Sequence, residues 1–177
     1  MIPVRDFTPP PTGARGAVLT IGNFDGVHRG HQVLLERVRN LSHQLGGPAL
    51  ALTFDPHPLA LLKPDRVPAT LTSLPRRVEL LRQAGMDEVA VFQTGPWLLG
   101  LTAREFFDQV LVAQFQARGI VEGPNFMFGK DRGGDAERLA LWCEESGMTF
   151  EVVAAVREGA DGFAPWSPPQ NDPRALD

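Results

Sequence analysis

Short aliphatic runs alternate with longer amphipathic stretches along this chain of 177 residues, a pattern that predicts successive βαβ units and a parallel sheet. Strands are expected over 17–24, 49–54, 88–92, 119–122 and 150–156. The second is an almost unbroken apolar run, as befits a strand buried on both faces. A helix is expected over 30–45, with the stripe Leu34, Leu35, Val38 and Leu41 and with Gly46-Gly47 ending it. Another should start near Ser73, carry Pro75 in its first turn and run to Gly85. Thr102 and Glu105 have capping-box spacing for a helix over 103–117, and Asp135 is placed to cap one ending at Gly147. The fold class expected is α/β, Rossmann-like, with a five-stranded parallel sheet and helices on both faces.

Two stretches break the rhythm. Pro56, Pro58, Pro64 and Pro68 are expected to keep the chain irregular to about Leu71, and a loop is expected over 123–134. From Glu158 onward glycines and prolines remove any period, so 1–157 reads as the domain and 158–177 as a loosely attached tail.

Composition agrees with one globular unit: 43% of residues are hydrophobic and 21% charged. The net charge of −4 leaves no basic surplus for a phosphate backbone, so nucleic acid is not expected as a partner. No apolar run approaches the ~20 residues that span a bilayer, and the first residues lack the pattern of a signal peptide. A cytoplasmic location without membrane attachment is therefore expected. Cys143, the single cysteine, reads as a small buried side chain.

The densest chemistry lies in Gly22-Asn23-Phe24-Asp25-Gly26-Val27-His28-Arg29-Gly30-His31. Glycines at 22, 26 and 30 remove side chains where a strand turns sharply into a helix and a phosphate would approach. A helix N-terminus favours negative charge, and His28 and His31, three apart, face one side of its first turn. One histidine as a cap and the other as a core residue is the plainer alternative. Against it, two histidines, three glycines and an aspartate converge where open α/β sheets bind ligands. The segment is neither a Walker loop nor a dinucleotide fingerprint.

Three motifs in order, Thr20 through Gln32, Thr53-Phe54-Asp55-Pro56-His57-Pro58, and Val121-Glu122-Gly123-Pro124-Asn125-Phe126-Met127-Phe128-Gly129 up to Gly134-Asp135, resemble the adenylyltransferase module of bacterial bifunctional riboflavin kinase/FMN adenylyltransferases, the FAD synthetase family. The match covers about residues 15 to 156. The resemblance implies adenylyl transfer from MgATP to FMN, giving FAD and pyrophosphate. It implies His28, His31 and Asn125 as catalytic residues, and Gly22, Phe24, Asp25, Gly26 and Gly30 with the histidines around ATP. Asp25 would either help place metal or hold the turn; metal ligands stay unassigned. Pro56, His57, Pro58, Asn125, Phe128 and Phe106 would line the flavin side. Asn125 could orient either the FMN phosphate or ATP. Phe126 and Phe128 alternate, so one is expected to face the pocket, and Phe128 is preferred. Phe106 has core-like spacing, which competes with a flavin role.

The sequence also departs from the family. A Ser-Ser-Thr-x-x-Arg motif is expected near 160–170, where Asp161 through Gln170 stand instead, and the riboflavin kinase domain is expected to be absent. A shifted reading frame through Trp166 to Gln170 permits Val-Ser-Ser-Thr-Lys, as a frameshifted gene end would. Loss of that motif would weaken charge stabilisation in the reaction. The alternatives are an inactive flavin- or nucleotide-binding remnant and another small-molecule nucleotidyltransferase.

Overall fold

The computed structural model describes residues 12–154, so the expected tail over 158–177 lies outside the described residues. Five parallel strands, β1 (Val18–Ile21), β2 (Ala49–Asp55), β3 (Glu88–Gln93), β4 (Gly119–Glu122) and β7 (Thr149–Val152), form one sheet in the order β3-β2-β1-β4-β7. The helices are α1 (Arg29–Leu45), α2 (Pro58–Leu62), α3 (Leu74–Gln83), α4 (Pro96–Gly100), α5 (Ala103–Phe106) and α6 (Ala136–Glu145). A two-stranded antiparallel ladder joins β5 (Met127–Phe128) to β6 (Gly134–Asp135).

Side-chain alternation in the central strands separates two cores. Leu19, Ile21, Leu50 and Leu52 turn to one face and pack with Phe107, Val110, Leu111, Leu139 and Cys143. Val18, Ala49, Ala51 and Val121 turn to the other and pack with Leu35, Val38, Leu41 and Leu81. The period of two thus puts the bulky leucines of β2 in the cluster that holds Phe107, Val110 and Leu111, and its small alanines in the cluster formed with α1 and α3. Gly46 takes φ 71° and its N–H donates to the Ser42 carbonyl at 2.9 Å, ending α1 as expected. Beside it, a Cβ on Gly47 would stand 2.0 Å from the Gly16 carbonyl oxygen, so only glycine fits that crossing.

Several expectations need correction. Strand β1 stops at Ile21 rather than Phe24, because Phe24 swings to φ 50°. The proline-rich excursion is partly helical: Pro58 opens α2 and Pro64 opens a 3-10 turn, both at first-turn positions where a missing N–H costs no helical bond. The capping box at Thr102 and Glu105 forms, but after Phe106 the segment Phe107–Gln114 widens into a π-helix, closed by Phe115 N–H to Val110 carbonyl at 3.0 Å. Residues 123–134 are not plain loop; they hold β5, a 3-10 turn and the start of β6. Asp135 caps α6 as expected, accepting from the Arg138 N–H at 2.8 Å. Among the described residues no helix is long and apolar enough to cross a membrane.

Candidate active site

Strand order decides what meets what. The neighbours β2, β1 and β4 are parallel, so the segments leaving their carboxyl ends share one edge of the sheet. Those segments are the Pro-His-Pro motif after β2, the glycine- and histidine-rich motif after β1 and the Asn125 segment after β4. The chain steps from β1 to β2 and β3 on one side and puts β4 on the other, so β1 and β4 flank the topological switch point at which such sheets bind ligands.

The turn after β1 is strained. Phe24, Gly26 and Val27 have φ of 50°, 72° and 41°, and for a β-branched valine that region is a true outlier. A ring contact and four hydrogen bonds hold it. The Phe24 ring is buried and meets His31 edge-on at 5.1 Å. The Asp25 carboxylate accepts from the Leu71 and Thr72 N–H groups at 2.8 and 2.9 Å and from the Thr72 hydroxyl at 2.8 Å. The Thr72 Oγ1 in turn accepts from the Gly26 N–H at 3.1 Å. The Leu71 N–H foremost, with Thr72, holds the Asp25 carboxyl below its usual range. Asp25 therefore holds the turn and staples the end of the proline-rich excursion to it.

Phe24 packs from below: a Cβ on Gly22 would stand 3.1 Å from its ring. It is a wall behind the turn rather than an open lining residue. Gly30 lies under the other histidine, 3.3 Å from His28 Cε1 if given a Cβ.

His28 and His31 stack with centroids 3.6 Å apart and planes 21° from parallel. His28 is exposed, whereas His31 is half-buried with an unpartnered buried Nδ1. Burial first, then the neighbouring His28, lowers the His31 pKa to about 4, against a small upward pull from Asp25. His31 is thus neutral at neutral pH. The N-terminus of α1 has no side-chain cap from His28 and no acid in its first turn, so nothing there opposes the positive end of its dipole as an attraction for an anion.

After β2, His57 Nδ1 accepts from the Leu59 N–H at 3.1 Å, capping α2 and fixing the tautomer with the proton on Nε2. Burial, then Arg77, lowers its pKa. Thr94 reaches across from β3: its hydroxyl donates to the Pro56 carbonyl at 2.6 Å and its N–H to the Asp55 carbonyl at 3.0 Å. Pro56 is exposed and Pro58 half-buried.

After β4, Asn125 is exposed in a turn closed by Phe126 N–H to Gly123 carbonyl at 3.2 Å. Phe126 and Phe128 do not point to opposite sides. Their rings stack at 5.3 Å and 14°, because residues two apart share one face of an extended chain, which corrects the expected alternation. Phe128 also meets Phe106 at 6.0 Å, and both are core residues, so the packing role expected as an alternative for Phe106 is present. Phe126 is the more exposed of the stacked pair.

Three residues were not anticipated. Arg77 on α3 is buried under the β2 end, Thr94 ties the Pro-His-Pro segment, and Glu122 closes β4. The Glu122 carboxyl accepts from the Ile21 N–H at 2.7 Å and the Thr20 hydroxyl at 3.4 Å, and burial pushes its pKa well up. A polar residue inside an otherwise apolar stripe or strand was the available signal at Arg77 and Glu122. Among the described residues no group of three or more His, Cys, Asp or Glu side chains could hold a metal ion.

Sheet order, switch-point position and the histidine-bearing turn define a nucleotidyltransferase-like α/β domain. The chain belongs to the FAD synthetase family, whose model matches residues 11–163. It is 39% identical over 142 residues to a bifunctional riboflavin kinase/FMN adenylyltransferase of Pseudomonas fluorescens, covering 80% of this chain and 45% of that one. The Escherichia coli K12 protein of the same description is 36% identical over 135 residues, 76% of this chain and 42% of that one. The chain thus spans less than half the length of these relatives. A crystal structure described as a macrolide-efflux protein from Streptococcus pneumoniae superposes with a TM-score of 0.70 at 25% identity, over 84% of this chain and 48% of that one.

Proposed function

We propose that this chain transfers the adenylyl group of MgATP to FMN, forming FAD and pyrophosphate. The observation that carries the reading is topological: three parallel neighbours deliver the phosphate turn, the Pro-His-Pro segment and the Asn125 segment to one edge of the sheet. Kinship to relatives described as FMN adenylyltransferases supports the choice of acceptor.

In the reaction an FMN phosphate oxygen attacks the α-phosphorus of ATP, and the bond from that phosphorus to the bridging oxygen of pyrophosphate breaks. No protein nucleophile is needed, so the chain's work is positioning and charge stabilisation. His28 and His31, with the first N–H groups of α1, would bind the triphosphate, and Gly22, Gly26 and Gly30 keep side chains out of its way. Asp25 would hold the turn by its bonds to residues 71 and 72. Pro56, His57 and Pro58 would bound the flavin on one side, with Phe128 and Phe106 as apolar floor on the other and Asn125 orienting a phosphate. Mg²⁺ would enter with ATP, neutralising phosphate oxygens and held chiefly by them.

Incubating the purified chain with FMN and MgATP and measuring FAD and pyrophosphate tests the reading. FAD should form in the wild type and fall at least ~100-fold in His28→Ala, in line with removal of one charge-stabilising group. Flavin binding without any FAD formed would instead mark a chain that binds but does not turn over.

A further inference from the structure

Arg77 lies on the apolar face of α3, one turn before Leu81, and only 6% of it is exposed. Among the described residues it has no ion pair. One terminal nitrogen donates to the Phe54 carbonyl at 3.3 Å and to the Thr53 hydroxyl at 3.5 Å, both long, and Nε is buried without a partner. Thr53 in turn donates to the Asn23 carbonyl at 3.1 Å, and Asn23 Oδ1 is a second buried atom without a partner. A guanidinium, a hydroxyl and the phosphate turn are therefore strung together beneath the site, with an orphaned donor at one end and an orphaned acceptor at the other. Burying an unpaired cation costs far more than an apolar residue would at the same position. Its charge nevertheless reaches both substrate segments, since it is felt at Asp25 after β1 and at His57 after β2.

We propose that Arg77 is a positioning residue for the phosphate-bearing substrates, binding the β1 and β2 segments together from below and supplying fixed positive charge to phosphate bound above them. The inference rests on the proposed function. Its charge acts through protein rather than water, which makes one cation worth roughly tenfold in affinity for a nearby anion.

The experiment compares matched ligands that differ in phosphate: FMN against riboflavin by flavin fluorescence, and a non-hydrolysable ATP analogue with Mg²⁺ against adenosine by calorimetry. Arg77→Gln and Arg77→Leu remove the charge, the leucine suiting the buried stripe, and Arg77→Lys keeps it. Thermal unfolding checks each fold. Binding of FMN, of the ATP analogue or of both should weaken about tenfold relative to the phosphate-free partner in whichever neutral variant folds, and Arg77→Lys should restore most of the preference. Loss confined to one pair identifies whose phosphate is served. Parallel weakening of phosphorylated and phosphate-free ligands, or no recovery in a folded Arg77→Lys, overturns the inference while leaving the proposed function standing. A wild type that binds neither FMN nor the nucleotide refutes that function and this inference with it.

Discussion

His31 is neutral in the free protein because burial and its stacked neighbour oppose a proton, yet its proposed ligand is a polyanion that favours one. Binding MgATP should therefore raise its pKa from about 4 and draw a proton from solvent near pH 6. Calorimetry in buffers of different ionisation enthalpy should show that uptake, and His31→Gln should remove it. The same group makes the free fold lose stability as pH falls from 6.5 towards about 4, since the unfolded chain then binds the proton more readily. Glu122 has the opposite sign. Its folded carboxyl holds a proton more tightly than the unfolded one, so its contribution weakens as pH rises above the ordinary 4.5. Glu122→Gln, still able to accept from Ile21, should raise the unfolding temperature at pH 7.5 and flatten that slope. The histidine pair was legible because its spacing and glycine company are unusual. The roles of Arg77, Glu122 and Thr94 were not, even though the first two stand out as polar residues in apolar runs, because those roles come from segments distant in sequence that one strand order brings together.

At the scale of elements, the long periodic segments declared themselves and the short ones did not. Helix α1 has a stripe, a glycine end and enough turns for periodicity to build, and it is found at Arg29–Leu45 against an expected 30–45. By contrast α2 and α4 have five residues each, too few for a repeat, and β5 and β6 have two each, too few for alternation. The π-helical stretch is hidden inside an α-helical pattern, because buried Phe106, Phe107, Val110 and Leu111 stand at spacings of one and four that an α-helix gives as well. The staple from Asp25 to residues 71 and 72 is likewise a tertiary link with no local signature. Cutting it with Asp25→Ala should destabilise the fold by only about 1 kcal/mol, because the bonds are near the surface. The effect on the KM for ATP should be larger, roughly tenfold, since the turn would lose its alignment. Urea unfolding beside steady-state kinetics separates the two. A ΔΔG of several kcal/mol with unchanged KM would show that the staple serves stability alone.

For the molecule as a whole, the sheet divides labour between its two edges. The amino-terminal edge carries the close Gly16 and Gly47 crossing and the Arg118 bonds to the Leu45 and Gly46 carbonyls at 2.9 and 3.0 Å, which tie α1 to the start of β4. Across the sheet, Arg37 of α1 pairs with Glu151 of β7 through both carboxylate oxygens. The carboxyl edge instead gathers exposed segments, the positive φ of Phe24, Val27, Asp131 and Arg132, and the unpartnered Asn23 Oδ1, His31 Nδ1 and Arg77 Nε. Local stability should follow the same division, because segments with few buried apolar contacts open at lower free energy than a packed sheet. Hydrogen exchange of the free protein should then be fast over 56–72 and 123–134 and slow in β1, β2 and β4. Adding MgATP should slow exchange mainly at 22–31 and 71–72, through the Asp25 staple, and adding FMN mainly at 56–66 and 123–130. Exchange at 44–50 should stay unchanged with either ligand. Protection appearing first at the amino-terminal edge would contradict the placement of the site, because the positive end of the α1 dipole and both histidine rings lie at the opposite end of the sheet.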